Sequence, residues 1–447
     1  MASQFIPKSM AMMSATMNDF VRNRFKLETQ GSQTASPGSI VTFNLPESAL
    51  IHLPSIRFFF DVATTSSTTG NTTVYGKLPA DASSLISKLE IYIGGVQVQN
   101  GTAEYNTIAR ILKLSQGNAP RDQSVDRAIS HGAIETDEAV DSEQLCLQEW
   151  RGFLGESATE YLPTDLTGAI TIRLTFANKN VLVPLEVTSG TAVAYGSNLS
   201  ADGKTEAEKV TYSVSNMYMT VDSIVPPMAY NSALRERLAQ NDIKINYKEY
   251  NSFAMAGVGS SFTHRLSASS ASVDKLYGVT RDTNYLSDGI KAHDMGTSGT
   301  GDSIVANAFR FRTYENGDNF RYNWSVNSVN HPQYQAKSLE ALADIHYCSD
   351  KLGGKAQGSL VSSREWFKDG LGVVTLQLDC PTEAGVAVRS GFNTRGINSA
   401  LVLKQSGMTT PAAVAATGET ADRTSFVVVE STQQLCIGLG KQLNIVY

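Results

Sequence analysis

Charge is scarce in this sequence: Asp, Glu, Lys and Arg make up only 18% of its 447 residues, and 37 basic side chains face 43 acidic ones. No run of Lys or Arg occurs in it, so it lacks the basic arm that condenses nucleic acid, and direct nucleic-acid binding is not expected. Cysteine is scarce as well. Cys146, Cys348, Cys380 and Cys436 lie far apart beside apolar residues with no CxxC spacing. They read as buried free thiols in a reducing compartment, not as a disulfide or metal framework. No stretch approaches the roughly 20 apolar residues of a membrane span. The N-terminus has no basic region followed by an uninterrupted apolar core, so the chain is not expected to take the signal-peptide pathway.

Catalytic signatures are missing too. No GxxxxGK[ST] loop, GxSxG elbow or HExxH pair occurs. The histidines, His52, His131, His264, His293, His331 and His346, are scattered singly. Glu315, Asn316 and Asp318 are turn formers before they are calcium ligands. Asp137, Glu138, Asp141 and Glu143 sit in a polar stretch where paired acids say nothing of glycosidase chemistry. No catalytic, cofactor-binding or metal-binding residue is therefore assigned, and no enzyme activity is expected.

What is present is hydrophobic alternation with a period of two. Val41, Phe43 and Leu45 alternate with polar residues, as do Ile56, Phe58, Phe60 and Val62, and Ile170, Ile172, Leu174 and Phe176. The second half continues the pattern with Ile243, Ile245 and Tyr247, with Val374, Leu376 and Leu378, and with Leu443, Ile445 and Tyr447, so its last strand is expected to run to the final residue, tied into a sheet. These are half-buried strands. Segments rich in turn formers, 64–73, 115–142 and 188–208, read as long loops between them. In the strand 210–225 the alternation changes phase at Ser215-Asn216, which predicts a β-bulge.

The two halves share a plan. Leu89, Ile91 and Ile93 lead into Gly94-Gly95, and Val96 and Val98 follow. A two-residue turn there sets Ile93 opposite Val96 and Ile91 opposite Val98, ahead of a helix over 103–114. In the second half Phe309 and Phe311, then Phe320, Tyr322, Trp324 and Val326, flank Asn316-Gly317-Asp318, and a second helix follows over 338–347. The fold class is all-β: two tandem sandwiches with short helices in the loops. The stretch 226–240 reads as the join, which divides the chain into an arm at 1–22, a first sandwich at 23–240 and a second at 241–447. In the arm Ile6, Met10, Met13, Met17 and Phe20 recur at steps of four and three, one stripe of a helix. An adaptable Met-rich stripe suits docking on a neighbouring subunit or an underlying surface.

This organisation resembles the double jelly-roll major capsid proteins of the adenovirus and tailless-phage lineage, closest in plan to those of polinton-like viruses and virophages. The stretches that carry it are 89–96 with its helix, 39–46 before it and the closing 442–447. The resemblance implies two eight-stranded jelly rolls and homotrimeric, pseudo-hexameric capsomers that tile an icosahedral shell. It also implies a place in the virion, assembled inside the host cell, with partners in neighbouring capsomers, penton and minor capsid proteins and an internal membrane. The alternative for tandem β domains is a receptor- or carbohydrate-binding fibre or adhesin, which would gather exposed aromatics in its loops.

Overall fold

The computed structural model describes residues 21–47, 49–79, 81–100, 104–115, 142–188, 192–195, 200–225, 228–282, 309, 311, 319–347, 372–379, 391–395, 401–408, 423–438 and 440–446. The first half holds β1 Val21–Glu28, β2 Ile40–Asn44, β3 Leu50–His52, β4 Arg57–Thr64, β5 Ser66–Thr69, β6 Thr72–Lys77, β7 Ile86–Ile93, β8 Val96–Gln99, β9 Glu143–Leu147, β10 Tyr161–Pro163, β11 Ile170–Phe176, β12 Val183–Thr188, β13 Ala192–Tyr195 and β14 Tyr212–Val225. The second holds β15 Ile243–Ala256, β16 Phe262–Leu266, β17 Val273–Asp282, β18 Arg321–Val326, β19 Val329–Ala336, β20 Val374–Gln377, β21 Leu401–Ser406, β22 Arg423–Gly438 and β23 Gln442–Val446.

Both halves pair their strands in the same order. In the second, β15-β22-β17-β20 forms one sheet and β16-β21-β18-β19 the other. In the first, β1-β14-β4-β9 answers the former and β2-β11-β7-β8 the latter. Counted along the eight principal strands of a half, each first sheet runs first, eighth, third, sixth and each second sheet runs second, seventh, fourth, fifth. That is the jelly roll, in which two sheets exchange strands and close most of their edges on each other. A helix connects the fifth and sixth principal strands each time, Tyr105–Ser115 in the first half and Ser338–Tyr347 in the second.

Alternation produces these sheets because one face of each strand must leave water. Phe58, Phe60 and Val62 on β4 and Ile170, Ile172 and Leu174 on β11 are fully buried. Aromatic rings bridge the two sheets: Phe43 on β2 meets Phe58 on β4 edge-on at 5.5 Å, and Phe176 on β11 meets Phe60 at 6.1 Å. The expected bulge in β14 is present, with the register slipping between Ser215 and Tyr218 and Asn216 at φ 49°.

Four expectations need correction. Ile93 faces Val96, but Ile91 faces Gln99 and not Val98, because β8 carries a bulge. The extra residue turns Gln99 inward, where its amide accepts from Phe153 N at 3.1 Å and donates to Arg151 O at 3.3 Å. In the second half the hairpin before the helix is β18–β19, turning at Asn327-Ser328 with φ of 50° and 70°. Gly94-Gly95 turns likewise with φ of 55° and 84°, the conformation that follows the twist of the strands. Both edges of β18 are taken by β19 and β21, so Phe309 and Phe311 do not pair with it and are buried separately. Finally, the stretches 64–73 and 188–208 are not plain loops. They contribute β5, β6 and β13 to a third sheet, β13-β12-β6-β5, and a helix, Ala201–Ala207, capped by Ser200 and set against β6. Threonine-rich strands of this kind carry little apolar alternation, yet their β-branched side chains suit a sheet; β5 is largely exposed and β6 largely buried.

Candidate assembly surfaces

The two sandwiches of the chain make contact with each other through shared cores. No described sheet draws strands from both sides of residue 240, but the cores do mix. Ile243, Ile245, Tyr247, Leu435 and Ile437 pack into the cluster built mainly from the first half. Ile108, Ile111 and Leu112 of the first helix pack into the second. That helix straddles the join: Tyr105 and Ala109 face the first core, and Arg110 and Lys113 bind Asp81 at 2.8 and 2.9 Å. At the other end of the join the Tyr247 hydroxyl lies 3.0 Å from the Val98 carbonyl, and its ring meets Phe153 edge-on at 5.2 Å. Ala158 N donates to Asn246 O at 2.7 Å. Gly94 allows the closest approach, because a Cβ there would lie 3.0 Å from Leu443 Cδ1 and 2.6 Å from Thr167 O.

Two buried charged groups sit in this join. Arg281 of β17 reaches Thr107 Oγ1 at 2.8 Å and forms an ion pair with Glu104, whose φ of 79° aims it across the gap. The guanidinium also lies 4.9 Å over the Phe426 ring. Glu249 shares the inward face of β15 with Tyr247, and burial pushes its carboxyl from 4.5 up to about 7, a backbone hydrogen bond from Asn100 opposing the rise. A carboxyl whose folded pKa is raised adds stability that is complete below its unfolded pKa and is lost as pH rises through the folded one. The free energy of unfolding should therefore fall between pH 4.5 and 7, by at most about 3.5 kcal/mol at 1.4 kcal/mol per unit. Glu249→Gln should remove that slope in parallel urea titrations, and an unchanged slope would assign the dependence elsewhere. On the opposite face of β15, burial works against the charge of Lys248, but Glu430 and Asp274, at 3.1 and 2.6 Å, outweigh it and raise its pKa.

Ile6, Met10, Met13, Met17 and Phe20 lie outside the described residues. The chain enters the described fold at β1, paired residue for residue with β14 from Val21↔Val225 to Glu28↔Tyr218. Asp222 holds Arg24 at 2.6 Å and Arg22 at 2.5 Å, and the Arg24 hydrogen bond keeps its carboxyl well below the usual range. Both arginines are more than half exposed, so these pairs fix register more than they add stability. Large apolar side chains are exposed at Val329, Tyr334 and Leu339, on and just after the edge strand β19, and at Ile40 on the edge strand β2. Sequence reasoning missed Glu104, Arg281 and Glu249 because nothing local pairs residues so far apart.

Cys146 and Cys436 are buried, whereas Cys348 and Cys380 lie outside the described residues, as do His131, His293, Asn316 and Asp318. His264 Nδ1 lies 3.0 Å from Ser425 Oγ, and His52 stacks on Tyr161. Among the described residues no three His, Cys, Asp or Glu side chains converge on a metal position, and no helix is long and apolar enough to cross a membrane.

No family model and no curated protein matches this chain. Solved structures match it in fold. The PBCV-1 protein VP54, fitted into a cryo-EM reconstruction of the virophage Sputnik, has a TM-score of 0.62 at 14% identity, over 96% of this chain and 97% of its own. The Faustovirus major capsid protein gives 0.53 at 8% identity over 94% and 91%, and the cryo-EM structure of the Sputnik virophage gives 0.50 at 12% over 96% and 88%. Strand order, the placement of both helices and superposition over nearly the whole length make this chain a double jelly roll, the fold of these viral capsid proteins.

Proposed function

We propose that this chain is the major capsid protein of an icosahedral virus, a structural subunit and not an enzyme. The observation that carries the reading is two jelly rolls of identical strand order locked into one body, in a chain that matches capsid proteins almost end to end. Three copies would set six jelly rolls around one axis, a pseudo-hexameric capsomer. Contacts repeated over such a lattice need little individual strength, because each added contact acts at high effective concentration. Val329, Tyr334, Leu339 and Ile40 are the apolar side chains that a neighbouring copy would cover. Penton and minor capsid proteins, an internal membrane and a place in the virion belong to the same proposal, as does the division into 1–22, 23–240 and 241–447.

Negative-stain microscopy and native mass measurement of the purified protein test it. Three-fold particles or closed shells are expected, with added salt releasing trimers before monomers; a protein that stays monomeric at every concentration would refute it. In this reading the arm docks at assembly, so its apolar burial stabilises the shell and contributes little to the trimer. Deleting residues 1–20 should leave trimers intact and impair shell closure, since Ile6, Met10, Met13, Met17 and Phe20 are each worth roughly 1 kcal/mol when partly buried. Met10→Ser with Met17→Ser should have a smaller effect of the same kind. Loss of trimers on deletion, or shells at normal yield, would show the arm to be a core element or a passive tail.

A further inference from the structure

A buried cluster of one lysine and two carboxylates lies in the sheet β15-β22-β17-β20 of the second jelly roll, and the capsid reading makes no use of it. Register sets it up. Lys248 pairs with Thr432 and Tyr250 with Glu430 across β15 and β22, so all four side chains share one face. On the other flank of β22, Val273 faces Ser431 and Lys275 faces Glu430, which leaves Asp274 as the extra residue of a bulge in β17. The bulge brings its carboxylate to Lys248. Nζ of Lys248 lies 2.6 Å from Asp274 Oδ2 and 3.1 Å from Glu430 Oε1, and the three side chains are 16%, 1% and 3% exposed.

Hydroxyls and backbone hold the aspartate in place. Thr432 Oγ1 donates to Asp274 Oδ2 at 2.5 Å and Ser272 Oγ to Oδ1 at 2.7 Å, while the Asp274 carbonyl accepts from Leu378 N and Asp379 N. Gly391 passes so close that a Cβ there would lie 2.5 Å from Oδ1. Tyr277 donates to Glu430 Oε2 at 3.1 Å, and the buried Tyr250 lies beside it. An amine nitrogen, a carboxyl carbon one bond beyond Oδ2 and a second carboxylate touching the nitrogen are thus fixed together, largely closed to solvent. Desolvating an ion pair is costly, and joining ammonium to carboxylate as an amide removes both charges. Fixed proximity supplies the effective concentration that this condensation lacks in water.

We propose that Lys248 and Asp274 condense into an isopeptide bond, with Glu430 as the proton carrier, which ties β15 to β17 across β22. Lys248 starts as the ammonium that its acidic neighbours favour. A proton passes from Nζ to Asp274 Oδ2; the freed lone pair attacks Cγ, and the carbonyl electrons move onto Oδ1, steadied by the Ser272 hydroxyl. Glu430 takes a second proton from the nitrogen and gives it to the Oδ2 hydroxyl, which leaves as water while the carbonyl re-forms. One water is lost, no redox partner is needed, and Glu430 ends as it began. The reaction happens once within one chain, so its test reads no assembly. Purified full-length protein should weigh one water less than its sequence requires, and its digest should contain a branched peptide with two amino termini, joined through Lys248 and Asp274. Lys248→Arg keeps the charge but should retain the full mass. Glu430→Gln should slow the loss of water by about a hundredfold or more, read as intact mass against time after cell-free synthesis. If that variant does not fold, Glu430→Asp, which draws the carboxylate back from Nζ, takes its place with the same expectation. Full mass after prolonged incubation of the folded parent overturns the inference, and so does water lost without that branched peptide or lost equally by Lys248→Arg. A Glu430 variant that reacts at the parental rate overturns its part as proton carrier.

Discussion

Phe60→Asp and Leu174→Asp are each expected to leave no soluble folded protein. Both side chains are fully buried, one in each facing sheet of the first jelly roll, and the Phe60 ring packs on Phe58 at 4.8 Å and on Phe176 at 6.1 Å. A carboxylate there forfeits about 3 kcal/mol or more of packing and adds several kcal/mol for an unpaired buried charge. Against a domain stability of about 5–15 kcal/mol, that sum reaches the point of unfolding. Phe60→Leu keeps the site apolar and should cost about 1 kcal/mol. Soluble yield and circular dichroism of the three variants decide the matter, and a normally folded aspartate variant would show that these strands do not form the core.

Arg281→Met should be the most damaging single change at the join between the sandwiches. The arginine side chain is 2% exposed, and its removal leaves Glu104 charged and partly buried without its guanidinium, and Thr107 without its donor. Breaking one partner of a buried pair typically costs about 3–5 kcal/mol, most of it the stranded charge. Glu104→Gln combined with Arg281→Met should therefore recover much of the loss, a coupling that urea unfolding of the four proteins in a double-mutant cycle would measure. A single variant as stable as the parent would mean that the pair is already solvated and that packing alone holds the sandwiches together.

Much of the architecture was legible because it is written in local periodicity. The alternation in β2, β4, β11 and β15 placed the buried face of each strand, Gly94-Gly95 marked a turn, and the phase change at Ser215-Asn216 marked a bulge. Where periodicity was silent the reading erred. The threonine-rich strands β5 and β6 look polar in sequence and pair only because β12 lies beside them. The hairpin β18–β19 turns on Asn327-Ser328, a weaker sequence signal than the Asn-Gly pair at residues 316–317.

The sequence by itself determined the class of fold, the repeat of one plan in two halves and the faces that become core, because burial along a strand follows a two-residue rule that each segment carries within itself. Only the tertiary structure decided how the halves are joined, that Arg281 meets Glu104, that Glu249 is buried against Asn100, and that the register between β18 and β19 slips. Those features depend on residues distant in sequence coming within a few ångströms. Their energies arise from desolvation and pairing at the meeting point, and no local pattern records which distant partner will be there.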